Sequence, residues 1–159
     1  VFVIQNVLNH LVCRAGWMMG GGPKKDKKFI QKIISQLKQG KKELFIVDDK
    51  LGTPTYTHDF AKNVKLLLEK KYWGLYNMVC GGITGRYEVA TELVNILGLS
   101  DTIKITSVTS DYWKEEYFAD RPPSERLIDK KLNLRNINIM RNWKVCLKEY
   151  INDYYRHYL

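Results

Sequence analysis

Trp17 stands just ahead of a glycine-rich stretch, Gly20-Gly21-Gly22-Pro23. An indole in that setting can stack on a flat ring and donate one hydrogen bond; the competing reading is a packed core tryptophan. Thr53-Pro54-Thr55 is a rigid turn offering two hydroxyls, although turn chemistry alone also accounts for it. Arg121 precedes Pro122-Pro123. Its guanidinium can donate two parallel hydrogen bonds to a diphosphate, the alternative being a surface arginine on an exposed loop. Asp48 and Asp49 are adjacent, so a strand would aim them at opposite faces. That makes a poor acid/base dyad, and both read as turn and cap residues. Arg14 reads as a buried structural arginine paired with a carboxylate rather than a ligand contact.

Two sets of residues are missing. No GxGxxG or GxxGxxG follows a strand, so nothing grips a dinucleotide pyrophosphate. No tyrosine has a lysine four residues after it. A chain that opens on Val1 and lacks both motifs reads as a portion of something longer. Cys13, Cys80 and Cys146 are far apart and odd in number, as in a reduced cytosolic protein. His10, His58 and His157 show no metal-ligand spacing, and no metal site is expected. No apolar run reaches the roughly 18 residues that span a bilayer, and the first residues lack the basic region of a signal peptide.

The formal net charge is +9, which concentrates anions around the molecule. The lysine pairs 24–25, 27–28, 41–42, 70–71 and 130–131 are scattered and read as a solvated surface rather than a binding stripe. Charge alone favours a small nucleic-acid-binding protein, but no such motif stands out.

These residues need elements to hold them. Apolar positions Phe29, Ile30, Ile33, Ile34 and Leu37 predict a helix over 26–39, with Gly40 where a C-terminal cap belongs. Further helices are expected near 58–69, capped by Thr57, then over 86–97 ended by Gly98, and over 143–155. The last would bury Trp143, Leu147, Tyr150 and Ile151. Strands are expected over 11–15, 43–47 and 75–79, with a half-buried strand over 103–108. Pro122-Pro123 forbids a helix there, and the aromatic cluster Tyr112, Trp113, Tyr117 and Phe118 reads as packing. Strands alternating with helices make this an α/β chain.

Several segments, in order, resemble dTDP-4-dehydrorhamnose reductases, a branch of the extended short-chain dehydrogenases. Arg14-Ala15-Gly16-Trp17-Met18-Met19-Gly20 looks like the family's Arg-Thr-Ser/Ala-Trp-x-Tyr-Gly. Val47 to Tyr56, with Asp49, Gly52, Thr53, Pro54 and Thr55, looks like its Val-x-Asp-Gln-x-Gly-Ser/Thr-Pro-Thr loop, and Asp59-Phe60-Ala61 follows at the family distance. Tyr72 to Asn77, Tyr87-Glu88-Val89-Ala90, Arg121-Pro122 with Lys131-Leu132, and Trp143 to Tyr150 complete the series. Met19 departs from the family tyrosine, Glu125 from a frequent serine, and Arg126 from an apolar residue.

The resemblance implies the C-terminal portion of an extended short-chain dehydrogenase, with the last elements of the Rossmann sheet plus a small α+β substrate-binding domain. Residues 1–40 would be the Rossmann remnant and 41–159 the intertwined sugar-nucleotide domain. Trp17, Thr53, Pro54, Thr55 and Arg121 would contact a dTDP-linked deoxy-keto-sugar. NADPH or NADH would serve the full-length parent, bound elsewhere than on this chain, which would be inactive alone and would hold no catalytic residue. A cytoplasmic protein is implied, with no nucleic-acid or membrane partner and with homo-oligomerisation as one way to cover apolar surface near Val1 to Ala15. A non-catalytic module of the same fold, or a related epimerase or dehydratase, is the alternative.

Overall fold

The computed structural model describes residues 1–116 and 122–158. Along the chain run α1 (Phe2–Asn6), β1 (Leu11–Arg14), β2 (Trp17–Met19), α2 (Gly22–Lys25), α3 (Phe29–Lys38), β3 (Glu43–Val47), β4 (Leu51–Gly52) and β5 (Pro54–Tyr56). They are followed by α4 (Thr57–Glu69), β6 (Gly74–Asn77), β7 (Thr84–Gly85), α5 (Arg86–Ile96), β8 (Lys104–Val108), α6 (Lys130–Leu134) and α7 (Trp143–Tyr154). A 3-10 segment covers Ser110–Glu116. Among these residues the strands form pairs: β1 with β6, β2 with β5 and β3 with β8, all parallel, and β4 with β7 antiparallel. The parallel pairs join segments distant in sequence through helices, as an α/β chain must.

The main core lies where α3, β3, α5 and α7 meet. Ile30, Ile33 and Ile34 of α3, Leu44 and Ile46 of β3, Leu93 of α5 and Leu147 and Ile151 of α7 are buried together. The spacing of the apolar residues in α3 and α7 puts each set on one stripe, and that stripe is what the core takes up. A second core gathers Leu67, Tyr76, Met78, Leu132 and Met140 behind β6. Between the two, Asp59 is almost fully buried and pairs with Arg141 at 2.8 Å, while the same guanidinium reaches Glu149 at 2.6 Å. Burial alone would raise the Asp59 carboxyl, but the Arg141 hydrogen bonds outweigh it and hold the group below its usual range. The pair ties the first turn of α4 to α7.

Four expectations are corrected. Helix α3 starts at Phe29, not at Asp26, because Asp26 is engaged elsewhere. Its Oδ1 accepts from Lys28 N–H at 2.8 Å, and its Oδ2 accepts the Tyr150 hydroxyl at 2.9 Å. Thr57 does not cap α4: Tyr56 holds the N-cap position, Thr57 is the first helical residue, and its side chain packs against Gly20. Arg14 is exposed on β1 and enters no ion pair found among the described residues. The short strands β2, β4, β5 and β7 fall in stretches that read as turns and loops, since two- and three-residue ladders carry no periodicity.

Gly40 and Gly98 adopt left-handed conformations just after α3 and α5, as their C-cap roles require. Asp49 accepts the Ser110 N–H and hydroxyl, and Asp48 accepts the Ser107 hydroxyl, so both fasten the loop after β3 to the end of β8. Tyr112 stacks on Phe45 with ring centroids 5.4 Å apart and stays 55% exposed; Tyr117 and Phe118 lie outside the described residues. No helix among the described residues is long and apolar enough to cross a membrane. The apolar side chains of Phe2, Val3, Ile4, Val7 and Leu8 in and after α1 are exposed.

Candidate functional site

The turn Gly16-Trp17 and the loop before α4 are built as one unit. Trp17 N–H donates to the Thr53 carbonyl at 2.9 Å, and β2 then runs beside β5 with Trp17 opposite Pro54. The backbones approach so closely that a Cβ on Gly16 would lie 2.1 Å from the Thr53 oxygen. The Thr55 hydroxyl accepts the Gly16 N–H at 2.8 Å and donates to the Met78 carbonyl at 3.4 Å. Thr55 therefore locks β2 to β5 and to the end of β6.

The indole of Trp17 lies flat on Gly52. A Cβ there would stand 2.1 Å from Cζ2 of the ring, so only glycine leaves room. The chain segment 123–125 runs alongside: Leu51 N–H donates to the Pro123 carbonyl at 2.9 Å, and Glu125 N–H donates to the Leu51 carbonyl at 2.8 Å. That ladder sets the Glu125 carboxylate opposite the indole edge, where Trp17 Nε1–H donates to Oε2 at 2.9 Å.

A cavity of about 520 Å³ opens in front of this corner. Its apolar walls are Met19, Phe29, Ile30, Pro54 and Val89, and its charged lining is Lys27, Lys28, Lys32, Arg86 and Glu125. The Arg86 guanidinium lies 5.3 Å from the Trp17 ring centroid and 5.9 Å from that of Phe29, within cation–π range of both. Among the described residues four cations face one carboxylate, a balance that favours anions, and the size and mixed lining are those of a small-molecule site.

Of the residues singled out in the sequence, Trp17 and Pro54 line this cavity. Thr53 and Thr55 are buried behind its wall, and Thr55 spends its hydroxyl on the backbone. Arg121 lies outside the described residues. Sequence reasoning passed over Phe29, Lys27, Lys28, Lys32, Arg86, Glu125 and Gly52. Lys27-Lys28 read as solvated surface and Phe29 as helix core. Glu125, as a departure from a family serine, and Gly52, as the glycine of the family-like loop, carried a signal without being given a site role.

The Gly20-Gly21-Gly22 turn is filled from within. A Cβ on Gly20 would meet the Thr57 hydroxyl at 1.9 Å, and one on Gly22 would meet the Tyr154 ring at 2.6 Å. Glycine here allows close packing of the turn on α4 and α7, and the space is not a cradle for a pyrophosphate.

The sequence pattern of the RmlD substrate binding domain matches residues 1–156. The chain is 30% identical over 142 residues to the spore coat polysaccharide biosynthesis protein SpsK of Bacillus subtilis, covering 89% of this chain and 47% of that protein. A dTDP-4-dehydrorhamnose reductase from Clostridium acetobutylicum superposes with a TM-score of 0.77 at 31% identity, over 89% of this chain and 48% of that one. The reductase from Bacillus anthracis, solved in complex with NADP, shares the fold with a TM-score of 0.79 at 20% identity, over 90% of this chain and 48% of that one. The chain thus spans about half the length of the relatives it matches. Mixed α/β architecture, parallel strand pairs and the match over nearly the whole sequence agree: the chain belongs to the RmlD substrate-binding domain family.

Proposed function

We propose that this chain is the substrate-binding part of an NAD(P)H-dependent reductase that acts on a dTDP-linked 4-keto-6-deoxy sugar. The observation that carries the reading is the cavity itself: an aromatic corner, Trp17 seated on Gly52, faces a basic rim. Such a cavity suits a ligand with a flat or ring-shaped apolar face and a diphosphate. Lys27, Lys28 and Lys32 would draw in the diphosphate, Arg86 would meet it beside the Trp17 ring, and Pro54 and Met19 would shape the floor. Binding and orientation are the chain's contribution to the reaction.

NAD(P)H would supply hydride in a longer parent protein, but the residues here do not fit that cofactor. The glycine turn is occupied by Thr57 and Tyr154, and no tyrosine has the paired lysine that a proton donor of this type needs. No step of the reduction is assigned to this chain.

Calorimetric titration with dTDP-glucose and with NADPH tests the proposal. The expected result is saturable binding of dTDP-glucose and no saturable binding of NADPH. Micromolar NADPH binding with no response to dTDP-glucose would overturn it.

A further inference from the structure

Residues 24–42 hold eight lysines and a single acid, Asp26, so these nineteen residues carry +7 of the formal net charge of +9. All eight lysines are exposed. Asp26 is 5% exposed and turned inward, where it accepts Lys28 N–H and the Tyr150 hydroxyl. None of the eight enters an ion pair among the described residues. Lys38 lies 3.8 Å from the Tyr158 ring centroid and Lys41 donates to Gln36 at 3.2 Å, both neutral partners. Scattered along the sequence, these lysines are gathered by α2 and α3 on the segment that borders the cavity, and Lys27, Lys28 and Lys32 line it. Lys24 and Lys25 precede them in α2. Lys38 follows Lys32 on α3, about 9 Å along the axis at about 1.5 Å per residue, and Lys41 and Lys42 lie just beyond.

We infer that Lys24, Lys25, Lys38, Lys41 and Lys42 form a capture surface for anionic nucleotides: they speed entry into the cavity beside them and do not hold the ligand once it is bound. The inference rests on the nucleotide-sugar reading given above and adds to it how the ligand arrives. The field of these exposed charges reaches about 8 Å at physiological ionic strength and about 30 Å at 0.01 M. It has the same sign as the balance of the cavity's described lining, so a diphosphate meets attraction on approach as well as at the site. Fields of this kind raise association rates by roughly tenfold to a thousandfold and fade with salt. Charges on the rim of a site change the rate of arrival, whereas contacts inside it change the rate of departure. The five lysines named are rim charges, since the cavity is lined by the other three.

The test follows binding of dTDP-glucose and of dTDP by stopped-flow tryptophan fluorescence, at ionic strengths of about 0.01 M and about 0.15 M. It compares the chain with the variant K24Q/K25Q/K38Q/K41Q/K42Q. The association rate of the chain should fall at least about tenfold between the two salts. Free dTDP, which carries one more negative charge, should associate faster than dTDP-glucose and lose more with salt. At low salt the variant should associate at least about fivefold more slowly than the chain, with a dissociation rate within about twofold of it, and at the higher salt the two proteins should converge. Equal association rates for chain and variant at low salt overturn the inference and leave the nucleotide-sugar reading standing. A loss that appears in the dissociation rate also overturns it, because these lysines would then be ligand contacts. No binding of either ligand by the chain overturns both. Thermal melting monitors folding, and K38Q/K41Q/K42Q gives the same comparison, with an expected loss of about threefold, if the fivefold variant does not fold.

Discussion

Two tryptophans sit on glycines in this molecule and do different things there. Trp17 rests on Gly52, where a Cβ would stand 2.1 Å from the ring, and Trp143 rests on Gly82, where it would stand 2.8 Å from Cδ1. Trp143 opens α7 and is 4% exposed, enclosed by the main core. Trp17 is half-buried, turns one side to a cavity of about 520 Å³, and has its N–H fixed by a carboxylate. A glycine seat says only that a ring lies close to the backbone. The neighbours decide whether the ring holds up the fold or faces a ligand: Trp143 is buried in the main core with only Lys144 over its ring at 5.6 Å among the cations described, whereas Trp17 has Arg86 at 5.3 Å, a carboxylate on its N–H and an open cavity beside it.

Truncating each ring separates the two roles. Trp143→Ala should lose about 3–5 kcal/mol of stability, read by chemical denaturation, with ligand affinity of the surviving folded protein little changed. Trp17→Ala should weaken dTDP-glucose binding by about 1–3 kcal/mol, roughly ten- to a hundredfold, while the melting temperature moves much less than in Trp143→Ala. A large fall in melting temperature for Trp17→Ala with unaltered affinity would make Trp17 a core residue and erase the contrast.

Gly52→Ala sharpens the comparison from beneath. Overpacking of this kind costs on the order of 1–3 kcal/mol, and the indole is the part that can move. Sugar-nucleotide affinity should therefore drop in the same direction as in Trp17→Ala, by less, as calorimetry would show. A fourth effect lies in neither tryptophan site. Asp129, beside the second core, accepts Val79 N–H at 3.0 Å and Asn138 Nδ2–H at 3.3 Å, and burial pushes its carboxyl up from 3.8 to about 6. The folded protein binds this proton more tightly than the unfolded chain, so the contribution of Asp129 to stability is greatest below pH 3.8 and fades as pH rises through about 6. Denaturation at several pH values should show Asp129→Asn flattening that slope, with no change in the ligand response of Trp17.

Helix α7 was legible because Trp143, Leu147, Tyr150 and Ile151 repeat at helical spacing and all four are buried. Strand β3 was legible as a short apolar run, and both glycine C-caps as chain breaks. The start of α3 was not. Whether Asp26 begins a helix depends on a hydroxyl 124 residues away, that of Tyr150, which no local pattern contains. The cavity was legible only in part for the same reason. Trp17 and Pro54 announced themselves by type and setting. Gly52 and Glu125 act through contacts made across the fold, the second spanning 108 residues of sequence to reach Trp17. Thr53 and Thr55 looked like ligand contacts because their hydroxyls are visible in sequence, whereas the Gly16 N–H that takes up the Thr55 hydroxyl is not.

The two tryptophan sites differ most directly in which indole feels the ligand. The chain has four tryptophans, so four indole N–H signals should appear in a nitrogen–proton correlation spectrum. Titration with dTDP-glucose should shift the Trp17 signal most, saturably, and leave Trp143 in place. Saturable binding that leaves the Trp17 indole unmoved would contradict the assignment of this cavity as the nucleotide-sugar site.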